Sequence, residues 1–173
     1  AQSAPRLVAI ALAMFEQNYI EQGIAYETKS RSLLEADDDY AQLLLLASDA
    51  MSAANEDIAS ARFLYRALKI EPDNLIMKNN LAWLYLTSRD PDLRNVEEAL
   101  DLARRAVEKE GSIDHIDTLA EAYFHSGNPD KAIEILRRGA REAPYPKSRE
   151  RYLHLQYQRF RRGNPDTDPP PVS

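Results

Sequence analysis

Four residues of this 173-residue chain have the types and spacing to bind a divalent cation. Asp114, Asp117, Glu121 and His125 follow at intervals of three, four and four, so on a helix they project from one side, carboxylates beside an imidazole. A solvated acidic face satisfies the same pattern, and a motif on one helix is weak evidence, so no metal is assigned. Other chemistry is thinner still. Gly23, Gly111, Gly127, Gly139 and Gly163 stand apart from one another and form no phosphate-cradling loop. No serine occupies a G-x-S-x-G elbow, and His115, His125 and His154 have no catalytic motif around them. Asp37, Asp38 and Asp39 lack the glycine and spaced oxygens of a calcium loop and read as a solvated turn with a helix N-cap. The absence of cysteine removes thiolate zinc sites, disulfides and cysteine nucleophiles. The expectation is a non-enzymatic chain without a cofactor.

What would position those residues is a repeated helical hairpin. From Ile113 to Pro146, Ile116, Leu119, Ala120 and Tyr123 recur at helical spacing, Ser126-Gly127-Asn128-Pro129 makes a turn, and Ala132, Ile133, Leu136 and Ala140 form a second helix. One such hairpin cannot bury its own apolar face and must stack on others. A hairpin from Ala41 to Asn74 uses Leu44, Ala47 and Met51, then Ser60, Leu64 and Ala67. Another, Leu75 to Ser112, carries Leu81, Ala82 and Tyr85, then Ala99, Ala103 and Ala106, with a turn lengthened by Asp90 to Asn95. Residues 6–39 read as a degenerate copy, with Leu7, Ala9, Ile10, Ala13 and Met14 on its first helix and Ala25, Leu33 and Leu34 on a weaker second. Residues 147–162 read as a capping helix with Leu153, Tyr157 and Phe160 on its apolar face and arginines facing water. Residues 164–173 form a proline-rich tail.

These segments resemble tetratricopeptide repeats of bacterial type, whose 34-residue pattern sets Leu and a small residue at positions seven and eight, an aromatic at eleven, alanines at twenty and twenty-seven and proline at thirty-two. Met51, Ser60, Gly111 and Gly139 depart from it, the glycines in a way expected to loosen helix ends. The resemblance implies one all-α domain over residues 1–163, a right-handed solenoid of about nine helices. It also implies a concave groove lined by positions two, five, six, nine, twelve and thirteen of each first helix. Those positions include Asp49, then Asn79, Asn80, Trp83 and Thr87, then Asp114, Asp117, Glu121, Phe124 and His125. Trp83 is the leading contact, a large rigid aromatic, with packing against the neighbouring hairpin as the alternative. Asn79 and Asn80 could hydrogen-bond a bound backbone. Asp114 and Thr118 stand where a clamp for a terminal carboxylate would need cations, so a neutral or basic protein segment is the expected partner.

Charge sharpens this. Residues 130–162 hold ten of the 22 basic residues but only four of the 28 acidic ones. An acidic body with a basic end could self-assemble, and an interaction domain of a larger enzyme or secretion assembly is the other alternative. The basic end with Tyr152, Tyr157 and Phe160 invites nucleic acid, but the net charge of -6 and the need for those aromatics in the cap argue against it. The apolar run Leu7 to Phe15 is too short to span a membrane. The opening AQSAP points to a trimmed start, and residues 79–86 resemble repeats of bacterial envelope and exopolysaccharide assembly, which tilts the expected location toward the periplasm over the cytoplasm.

Overall fold

The computed structural model describes residues 7, 10–11, 13–15, 17, 19–32, 38–142, 149–163 and 169–170. All regular structure among them is helical, and contacts divide the chain into two compact units, Ala1–Met77 and Lys78–Ser173.

In the first unit, α1 (Ile20–Arg31), α2 (Asp38–Ala53) and α3 (Asp57–Ile70) accompany helical residues at 7, 10–11 and 13–15. The α2–α3 hairpin forms because both helices carry an apolar stripe at three-and-four spacing, and Leu44, Ala47, Met51, Leu64 and Ala67 are fully buried between them. Their turn places Asn55 in the left-handed region at φ 61°, a conformation asparagine tolerates. Ser60 replaces the usual alanine at no loss. Its hydroxyl donates to the Ser48 carbonyl at 2.9 Å and lies 2.8 Å from the Ser48 hydroxyl, so both buried serines are satisfied.

Helix α1 departs from expectation. Ala25 is exposed, and the buried side holds Gly23, Glu27 and Ser30. Gly23 is needed where the Phe15 ring comes so close that a Cβ would lie 2.3 Å away, and Phe15 in turn meets Phe63 edge-on at 5.2 Å. Glu27 turns inward because Arg66 on α3 pairs with it at 2.9 and 2.5 Å and the Tyr40 hydroxyl donates to it. Leu33 and Leu34 lie outside the described residues.

Helix α4 (Leu75–Thr87) crosses the boundary between the units, and α5 (Val96–Lys109), α6 (Ile113–His125), α7 (Pro129–Glu142) and α8 (Glu150–Arg162) follow. The long turn after α4 is internally bonded: the Arg94 guanidinium donates to the Ser88 carbonyl at 2.7 Å, and the Asn95 amide to Tyr85 at 3.1 Å. Asn95 then caps α5 through the Glu98 amide. Helix α5 buries the predicted alanines, Ala99, Ala103 and Ala106. Gly127 provides the left-handed residue, φ +81°, between α6 and α7. Gly139 loosens nothing: it lies inside α7, where a Cβ would be 2.4 Å from the Ile116 side chain, and it is what lets α6 and α7 approach.

Helix α8 follows the hairpin as a cap and buries two of the three residues expected, together with polar ones that were not. Leu153 and Phe160 are buried, whereas Tyr157 is half-buried and Tyr152, Gln156 and Arg159 are buried in its stead. The reason is polar: those three side chains meet the carboxylates of α6.

Candidate functional site

The same repeat positions differ in openness from one first helix to the next. On α2, Gln42, Leu46, Asp49 and Ser52 are exposed, Leu46 by 46%. On α4, Asn79, Asn80, Trp83 and Thr87 are half-buried, and Ile76 one turn earlier is 59% exposed. On α6, Asp117, Glu121 and Phe124 are buried, His125 is half-buried, and Asp114 alone among the candidates there is exposed.

The α4 face is amide and aromatic. Asn79 and Trp83 are one turn apart and therefore adjacent. The Asn79 side-chain carbonyl oxygen is buried without a hydrogen-bond partner, at a cost of about 1–3 kcal/mol. Thr87 offers no free donor, because its hydroxyl donates to the Trp83 carbonyl at 2.8 Å.

The α6 face is not the open acidic groove that its sequence suggested. Glu121 is fully buried, and the Arg159 guanidinium donates to its two oxygens at 2.7 and 2.8 Å in the forked geometry that makes such pairs strong. Gln156 donates to Glu121 at 3.2 Å and to Asp117 at 3.3 Å, and the Tyr152 hydroxyl donates to Asp117 at 2.5 Å. His125 Nε2 lies 3.1 Å from Glu121, and Phe124 packs on Phe160 in a tilted pair with ring centroids 4.7 Å apart, with the Arg159 guanidinium over its ring. Asp114 pairs at the edge with Arg149 at 2.7 Å. Asp117 and Glu121 are thus spent on α8 and do not face solvent, because a buried carboxylate without such partners would be too costly.

Burial pushes the Asp117 carboxyl up to about 6, with the neighbouring Glu121 charge adding to it, despite the opposing bonds from Tyr152 and Gln156. Burial pushes on Glu121 in the same sense, yet the bonds from His125 and Arg159 outweigh it and hold that carboxyl below its ordinary value. Burial and the Asp117 charge raise the Tyr152 phenol, which keeps it a donor.

Sequence reasoning missed Tyr152, Gln156 and Arg159. The available signal was their spacing of four and three, which matches Asp117 and Glu121 at four on the opposing helix. It also missed a cleft of about 380 Å³ in the first unit, lined by Ile24, Ala59, Arg62, Phe63, Tyr65 and Arg66.

No family model and no curated protein matches the chain. Solved structures do. A MamA structure from MSR-1 is 14% identical, with a TM-score of 0.62, over 92% of this chain and 85% of that one. A MamA structure from AMB-1 is 16% identical, TM-score 0.57, over 92% and 84%. A kinesin light chain type structure from Podosopora anserina, with nearly identical TPR-like repeats, is 14% identical, TM-score 0.64, over 91% and 84%. The fold is that of tetratricopeptide repeats. Among the described residues no helix is long and apolar enough to cross a membrane.

Proposed function

We propose that the chain is a non-catalytic scaffold that binds a peptide or protein segment on the first-helix faces of its hairpins, with α4 as the principal contact. The observation that carries this reading is the open apolar side of α4, where Ile76 is 59% exposed and the large Trp83, two turns on, is only half-buried. Together they offer a large apolar surface held on one rigid helix, the kind of contact that interface hot spots use. Asn79, Asn80 and Thr87 are half-buried on the same helix, and within the second unit Asp114 and His125 supply polar positions on α6.

The pairing of Glu121 with Arg159 alters the expected partner. With Asp117 and Glu121 withdrawn beneath α8, the preference for a basic segment loses two of its carboxylates, and a neutral segment with one large apolar side chain fits best. The setting proposed with this function, bacterial envelope or exopolysaccharide assembly, rests on the resemblance of residues 79–86.

Panning a random peptide library against the full chain tests the reading. Selected peptides should be neutral or weakly basic and should lose at least about tenfold in affinity to Trp83→Ala, the scale of an interface hot spot. Peptides that bind Trp83→Ala as well as the parent would refute the α4 assignment.

A further inference from the structure

We infer that the outward face of α8, with Arg137 of α7 beside it, is a second docking surface, and that it takes an acidic polypeptide segment. His154, Tyr157, Gln158, Arg161 and Arg162 follow at spacings of three and four along one side of α8, away from the buried Tyr152, Gln156 and Arg159, and line a hollow of about 440 Å³. Tyr157 is its centre. The Arg137 guanidinium donates to the Tyr157 hydroxyl at 2.6 Å and lies 5.0 Å from the ring centroid, and the Arg161 guanidinium lies 5.9 Å from the same centroid. Two like charges are thus held on one phenol, with the exposed Arg162 next to them. Among the described residues no carboxylate pairs with Arg137, Arg161 or Arg162. On the inner side of α8 the reverse holds, because Arg149 and Arg159 are answered by Asp114 and Glu121.

A carboxylate is the anion these groups fit. Guanidiniums that already rest on a ring lose little further freedom on binding, and each keeps donors for a fork onto a carboxylate, whose charge also relieves their mutual repulsion. Nucleic acid fits less well. A base needs a bare aromatic face to stack on, whereas Tyr152 and Phe160 are buried and the Tyr157 ring already carries two guanidiniums. The net charge of -6 also opposes a long polyanion, while a short acidic segment meets only the local positive charge. An anionic bilayer calls for an apolar face to insert, and Leu155 is the one large hydrophobic side chain exposed on α8. What remains is a polypeptide whose side chains bring carboxylates to Arg137, Arg161 and Arg162.

This inference does not rest on the α4 reading, and the two fail separately. The probe is a fluorescent twelve-residue peptide of alternating serine and glutamate, titrated into the full chain beside its counterpart with glutamine for glutamate and an oligothymidylate of the same length. The acidic peptide should bind, with an affinity that falls as salt rises, and the glutamine peptide should bind at least about tenfold more weakly. Arg161→Glu with Arg162→Glu should weaken the acidic peptide by about tenfold or more. Both positions are exposed and the Arg159 fork stays intact. If that variant does not fold, Arg161→Gln with Arg162→Gln replaces it, with an expected loss of about threefold or more. Arg62→Glu, an exposed charge reversal in the first unit, and Trp83→Ala should each leave the affinity within about twofold. No binding of the acidic peptide, equal binding of the glutamine peptide, tighter binding of the oligothymidylate, an unchanged affinity in the α8 variant, or an equal loss from Arg62→Glu or Trp83→Ala would each overturn the assignment.

Discussion

Glu121 and Arg159, 38 residues apart in sequence, form a two-pronged ion pair of 2.7 and 2.8 Å with side chains 0% and 8% exposed. It joins the most acidic helix face of the repeats to the basic end of the chain. The charge asymmetry that could have driven association between copies is answered here within one copy.

Removing one partner should cost far more than removing both. Arg159→Ala strips the buried Glu121 carboxylate of its forked partner, leaving Gln156 and His125, and is expected to destabilise the chain by about 3 kcal/mol. The double variant Glu121→Gln, Arg159→Met should recover most of that. Urea unfolding of the parent, Glu121→Gln, Arg159→Met and the double variant measures the coupling, and additive losses would show that the pair is not coupled.

The two carboxyls of α6 should pull the pH dependence in opposite directions. Asp117 is raised on folding, so its contribution is full below its unfolded value near 4 and is lost as pH rises through about 6. Glu121 is lowered, so its contribution stands above its unfolded value and is lost as pH falls through its folded one. Between about pH 4 and 6 both are favourable. The urea midpoint should therefore fall from pH 5 to pH 7.5, and Asp117→Asn should flatten that fall. An equal slope in the variant would assign the effect to other groups.

In the first unit, the Glu27, Tyr40 and Arg66 cluster predicts a graded series. Tyr40→Phe removes one donor and should cost about 1–2 kcal/mol. Arg66→Ala should cost more, up to about 3 kcal/mol, since it strands the fully buried Glu27, although the 30% exposure of Arg66 lets water soften the loss. Denaturant midpoints rank the two, and Tyr40→Phe exceeding Arg66→Ala would contradict the inward role given to Glu27.

Gly139→Ala should destabilise by about 1–3 kcal/mol through its clash with Ile116, although alanine is the better helix former. Adding Ile116→Ala opens the space, so in that background the same change should become neutral or stabilising. A double-mutant cycle without coupling would place the strain elsewhere.

The hairpins were legible because their core needs only apolar residues at helical spacing, and Leu44, Met51, Ala99, Ala103 and Leu119 say the same thing locally and in the fold. What was not legible depended on partners distant in sequence. Glu27 and Arg159 carry no local sign of burial, because charged residues on amphipathic helices ordinarily face water. Gly139 looked like a weakened helix because its use lies in Ile116, on another helix. The acidic row on α6 was visible at once, but its role was misread: spacing shows which residues share a face and not what covers it. The openness of Asp49 and the half-burial of Trp83 likewise depend on packing that periodicity does not encode.

The most direct measurement of the central claim uses the fact that Trp83 is the chain's single tryptophan. Its emission therefore reports on the α4 face alone. Titrating a library-selected peptide into the full chain should shift Trp83 emission to the blue and protect it from iodide quenching, saturating at the affinity measured by calorimetry. Calorimetric binding that leaves Trp83 emission and quenching unchanged would contradict the account.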